Sequence, residues 1–102
     1  ADVIVMATPV YFYTMNGQLK TLIDRCCSRY THMVGKDFYF IATAADMREE
    51  ALYRTIDGLR GFTACLEDAN EKGIIFAAGV WQKGEVNRTK YMNEAYQMGK
   101  NV

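Results

Sequence analysis

Net charge is what this chain has least of. Its 12 basic residues balance its 12 acidic ones, so no overall field draws it to nucleic acid or to an anionic lipid surface. No apolar run approaches the roughly 18 residues that a membrane helix needs. The chain opens directly on a strand pattern, so no signal peptide is expected in it. Cysteine is scarce and badly spaced for a framework. Cys26 and Cys27 are adjacent, Cys65 is remote, and no C-x-x-C occurs, which leaves a zinc or cluster site without support. The three are expected to be reduced, partly buried thiols of a cytoplasmic protein. His32 is the only histidine and falls in a polar turn. Nothing forms a Ser/His/Asp set, a carboxylate pair or a P-loop.

What is present is a small α/β domain. Half of the 102 residues are hydrophobic, enough for one core. Asp2 to Tyr11 reads as a first strand, and its continuous Val3-Ile4-Val5-Met6-Ala7 run predicts burial on both faces. A helix follows from about Met15 to Arg29, with Leu19, Leu22, Ile23, Cys26 and Cys27 on one stripe. Thr14 or Asn16 can cap its start. After a polar turn from Tyr30 to Lys36, Phe38 to Thr43 is a second strand. Asp46 and Glu49 resemble a capping box, which places a second helix from about Met47. Gly58 and Gly61 predict a kink or break, leaving a short second piece to about Asp68. Gly73 to Trp81 is the third strand, and Tyr91, Met92, Ala95 and Met98 mark a last helix. The order β-α-β-α-β-α, with crossovers this long, predicts parallel pairing.

The most informative stretch is Thr8-Pro9-Val10-Tyr11-Phe12-Tyr13, which leads into Leu19-Lys20 and Ile23-Asp24-Arg25. It sits at the carboxyl end of a predicted parallel strand, where open α/β sheets bind ligands. Pro9 stiffens the strand exit and lacks an amide proton. Tyr11, Phe12 and Tyr13 offer aromatic faces. Amides from Val10 to Tyr13, and those at the following helix start near Asn16, are candidate donors to a flat heterocycle. A helix N-terminus also favours developing negative charge. From these residues alone, an ordinary aromatic-rich turn after a buried strand is the favoured account, since aromatic clusters are common in cores.

The string T-P-V-Y-x-x-x-x-x-x-L-K-x-x-I-D-R resembles the flavin-ring loop of the flavodoxin-like NAD(P)H-dependent FMN reductases, a group that includes the iron–sulfur flavoproteins. The resemblance implies a doubly wound parallel sheet with three C-terminal β-α units in view. Residues 1–102 would then be the C-terminal part of a single flavodoxin-like domain, occupying positions three, four and five of the 2-1-3-4-5 strand order. It also implies FMN as cofactor and NAD(P)H as electron donor, with a quinone, flavin or other small molecule as acceptor. Thr8, Pro9, Val10, Tyr11, Phe12, Tyr13 and Asn16 are the implied ring loop. Thr43, Ala44, Ala45 and Asp46 are the implied second wall, their small side chains allowing close backbone approach. No side chain is required as a catalytic proton donor, since the flavin carries the redox chemistry. Trp81 is placed to cover the flavin, to join a homodimer contact with Tyr13 and Met15, or to pack on the last helix. A flavodoxin-type electron carrier and a flavin-free binding domain of the same fold stand as alternatives.

Overall fold

A computed structural model describes all 102 residues. Three strands form one parallel sheet in the order β1-β2-β3: β1 Val3–Pro9, β2 Asp37–Thr43 and β3 Asn70–Ala77. Helix α1 (Gly17–Arg25) follows β1, α2 (Tyr53–Thr63) follows β2, and α3 (Tyr91–Lys100) closes the chain. Register sets Met6 beside Phe40 and Phe40 beside Ile74, which stacks large side chains across one face. That face carries the core, with Phe38, Phe40, Leu52, Ile56 and Leu59 fully buried and Leu19 and Ile23 of α1 packed against them.

The opposite face alternates with it, as strand geometry requires. There α3 lies on β3, and Met98 packs over Gly73 and Tyr39. The flank of β1 on that side stays open: Val5 is 55% exposed. The expectation of burial on both faces of β1 is therefore corrected, because α3 packs on β3 and does not cover Val3 and Val5.

Element limits also move. β1 ends at Pro9 rather than Tyr11, since the chain turns sharply after it. α1 is shorter than predicted. Asn16 caps its start through Leu19 N–H (2.9 Å), and beyond Arg25 it tightens into 3₁₀ turns at Cys26–Ser28 and Tyr30–His32. Its stripe is narrower too, since Leu22 and Cys27 face solvent. The second helix starts at Tyr53, after a 3₁₀ turn at Glu49–Leu52. No capping box forms, because the Asp46 carboxylate is engaged by Arg48 instead.

No break occurs at Gly58 or Gly61; α2 runs through both. Gly58 has a packing reason, since a Cβ there would meet the Met15 methyl at 3.1 Å. The missing side chain lets α2 seat on buried Met15, which removes Met15 from any interface. β3 stops at Ala77, four residues before Trp81, and Trp81 is 75% exposed rather than packed on α3.

Candidate functional site

Three loops leave the carboxyl edge of the sheet side by side. The parallel ladder continues past the strand ends. Val10 N–H donates to the Thr43 carbonyl (2.8 Å), and Ala44 N–H donates to the Ala77 carbonyl (3.0 Å). The third loop is then tied to the second, with Gly79 N–H on the Asp46 carbonyl and Val80 N–H on the Ala44 carbonyl, both at 2.8 Å. All eleven residues expected at the site, Thr8 to Tyr13, Asn16 and Thr43 to Asp46, thus lie on or beside one edge.

Thr8 knots the first loop. Its buried hydroxyl donates to the Pro9 carbonyl (2.7 Å) and accepts Asn16 N–H (3.0 Å). The chain between them folds back on itself, with Tyr11 and Thr14 exchanging backbone bonds of 2.9 and 3.1 Å. Phe12 and Tyr13 at the tip have φ of 50° and 65°. This is the backbone of a two-residue turn that normally selects Asn-Gly. Aromatic residues with positive φ are uncommon, and such strain, on the order of 1–3 kcal/mol per residue, gathers at functional sites. Phe12 buries nothing in return, being fully exposed.

The turn also decides which amides are free. Val10 and Tyr11 N–H are used within the chain, contrary to the expectation that both could serve a ligand. Phe12 and Tyr13 N–H make no internal bond. In the second loop the amides of Ala45, Asp46 and Met47 are likewise uncommitted. The edge therefore presents two sets of free donors, flanked by the exposed rings of Tyr11 and Phe12.

Two arginines that sequence reasoning missed brace these loops. Arg48 donates to Asp46 through its backbone N–H (2.8 Å), Nε (3.0 Å) and Nη2 (2.7 Å). Those bonds, the guanidinium ones first, hold the Asp46 carboxyl down at about 2, and they raise Arg48 above its usual value. Arg54, from the first turn of α2, places its guanidinium 5.6 Å from the Tyr13 ring centroid, a cation–π contact across the loops. Tyr13, Arg48, Glu50, Ala51 and Arg54 line a cleft of about 340 Å³. The D-x-R spacing of Asp46 and Arg48 was a readable signal for the first brace; Arg54, far along the chain from Tyr13, gave none.

Because folding depresses the Asp46 carboxyl, its contribution to loop order is fully present above about 3.8, its ordinary value. It is lost as the pH falls toward about 2. A ¹³C-detected titration of the Asp46 carboxyl is expected to show a midpoint of about 2 that returns toward the ordinary value in Arg48→Ala. A wild-type midpoint at the ordinary value would mean the pair is not kept in solution.

A family model described as NADPH-dependent FMN reductase matches residues 1–82. The chain belongs to the NADPH-dependent FMN reductase family. No significant match was found among curated proteins or among solved structures. The matched span of this FMN reductase family contains the whole sheet, α1, α2 and the three edge loops as far as Gln82; α3 lies beyond it. The flavodoxin-like parallel sheet agrees with that assignment, and the protein is an oxidoreductase of a family that uses FMN with NADPH or NADH as electron donor. The edge fits such a cofactor in its chemistry: a flat heterocycle with acceptor atoms along one side matches free amides beside aromatic rings. No helix is long and apolar enough to cross a membrane, and no cluster of His, Cys, Asp or Glu is arranged to hold a metal ion.

Proposed function

We propose that the Pro9–Asn16 turn and the Thr43–Asp46 segment hold the isoalloxazine ring of FMN, and that electrons pass through it from NAD(P)H to a quinone, a free flavin or another small acceptor. The observation that carries this reading is the Phe12-Tyr13 turn. It keeps a strained backbone whose two amides have no internal partner, at the sheet edge where α/β folds take ligands. When bound, FMN supplies the hydride and electron chemistry. The chain's part is to orient the ring. Thr8 and Asn16 fix the turn, Phe12 and Tyr13 N–H present donors, and the rings of Tyr11 and Phe12 offer aromatic walls. The Asp46–Arg48 pair and Arg54 hold the second loop and Tyr13 in register. The exposed ring of Phe12, with Tyr13 and Trp81, suits a contact between two copies, so a homodimer belongs to the reading. Three free thiols suit a cytoplasmic setting.

Phe12→Asn provides the test. Asparagine tolerates positive φ, and Phe12 gives up no buried area, so the variant is expected to unfold at the same urea concentration or higher. Its FMN dissociation constant is expected to rise by roughly tenfold, the equivalent of one lost stacking contact of about 1 kcal/mol or slightly more. NADPH is expected to bleach the wild-type flavin anaerobically. Unchanged FMN affinity in the variant would take Phe12 out of the ring site, and a flavin that neither NADPH nor NADH reduces would defeat the reductase reading.

A further inference from the structure

The third loop carries a second feature, beside the ring site and straddling the end of the family's matched span at Gln82. Trp81 and Gln82 N–H both donate to Oε2 of Glu85, at 2.9 and 2.8 Å. Those two amide bonds keep the Glu85 carboxyl below its usual range. Gly84, with φ of 81°, makes the reversal that brings Glu85 back. The backbone under Trp81 is thereby fixed, yet its indole is three-quarters exposed. A solvent-facing indole on a tied backbone is a stacking platform with less backbone ordering left to do on binding.

Next to it lies a cleft of about 340 Å³ lined only by Gln82, Lys83, Gly84, Glu85 and Arg88. Neither Lys83 nor Arg88 joins an ion pair. Glu85, the one acid there, has its Oε2 committed to two amides, and the Arg88 charge also acts on its carboxyl. The cleft therefore offers two cations outside any salt bridge, beside an exposed aromatic face. Its tie to the ring site is short: Val80 and Gly79 bond directly to Ala44 and Asp46. The arginine cleft on the other side is less suited to an anion, since Arg48 is held by Asp46, Arg54 rests on Tyr13, and Glu50 shares the lining.

We infer that Trp81, Lys83 and Arg88 form the site for the adenosine-phosphate tail of the dinucleotide donor, with adenine on the indole and phosphate on the two cations. The inference rests on the ring-site reading for its geometry: a nicotinamide brought to the flavin leaves its tail to run over a neighbouring loop. Arginine forks phosphate oxygens, and lysine adds a point charge. The contacts are exposed, so salt screens them.

Trp81 is the only tryptophan, which makes its emission a direct probe. Adenosine 2′,5′-bisphosphate, titrated into the protein, is expected to change Trp81 fluorescence, more tightly at low salt. Lys83→Ala with Arg88→Ala is expected to weaken that binding by roughly tenfold or more, one charge-assisted contact being worth about a factor of ten. The same pair is expected to raise KM for NADPH comparably. KM for reduced nicotinamide mononucleotide, which lacks the tail, and FMN affinity are expected to stay unchanged. Unaltered Trp81 emission at millimolar bisphosphate would overturn the inference. So would equal binding by the double variant, or equal damage with the tail-less donor. If the bisphosphate binds as described but neither donor reduces bound FMN, the ring-site reading fails while the nucleotide site stands.

Discussion

Phe40→Ala is expected to remove about 3–5 kcal/mol of folding stability, the cost of an aromatic side chain lost from a packed core. Phe40 has no exposed surface and sits mid-sheet on the central strand, between Met6 on β1 and Ile74 on β3. Its ring lies 6.4 Å from that of Phe38, so truncation also loses an aromatic pair. Both helices on that face press against the same cluster, which limits how far the cavity can collapse. Small domains hold only about 5–15 kcal/mol in total, so the variant should unfold at a much lower urea concentration. Val5→Ala is the matched control: Val5 is half exposed on the open flank, and its loss should stay within about 0.5 kcal/mol. Equal midpoints for the two variants would mean that the core is not centred on β2.

The contrast between these two positions also marks what the sequence could reveal. Val3 to Ala7, Phe38 to Thr43 and Ile74 to Ala78 are apolar runs of strand length, and the connections between them are long enough for parallel pairing. Periodicity reports a strand but not what lies over each face, so Val5 and Phe40 look alike in sequence and differ in burial. The start of α2 was misplaced for a local reason. The D-x-x-E spacing of Asp46 and Glu49 predicts a cap, but Arg48, two residues on from Asp46, takes the same carboxylate through three donors. Gly58 looks like a weakness in sequence because its compensation, the Met15 methyl, comes from another part of the chain.

The ring loop was legible for a different reason. Its string of residue types carries a family resemblance that propensity alone does not supply. The positive-φ turn inside it was not legible, since Phe-Tyr has none of the Asn-Gly bias that announces such a turn. The tertiary contacts around Thr8 and Asn16 impose that shape, and local preference opposes it. Arg54 was invisible for the same reason: only the packing of α2 brings it to Tyr13.

That imposed shape makes Thr8 the residue whose loss should matter most to the site. Its hydroxyl joins the end of β1 to the start of α1, donating to Pro9 and accepting from Asn16, whose own side chain caps the helix. Thr8→Val keeps the volume and leaves no cavity, but it strips both bonds. The Asn16 amide is then left without a partner, at a cost of about 1–3 kcal/mol. The strained turn loses the brace that opposes its relaxation, so Phe12 and Tyr13 should drift toward ordinary negative φ and carry their free amides with them. FMN affinity is expected to fall on the order of tenfold or more, since each 1.4 kcal/mol or so of lost organisation is a factor of ten. Thr8→Ser separates chemistry from packing: it gives up one buried methyl, about 1 kcal/mol, and retains both hydrogen bonds. In urea the two variants should therefore show comparable losses of stability. In an FMN titration they should part, with serine near wild type and valine far weaker. If valine and serine bind FMN equally well, the hydroxyl does not organise the ring loop, and the strain at Phe12 and Tyr13 must be held by the Tyr11–Thr14 bridge alone.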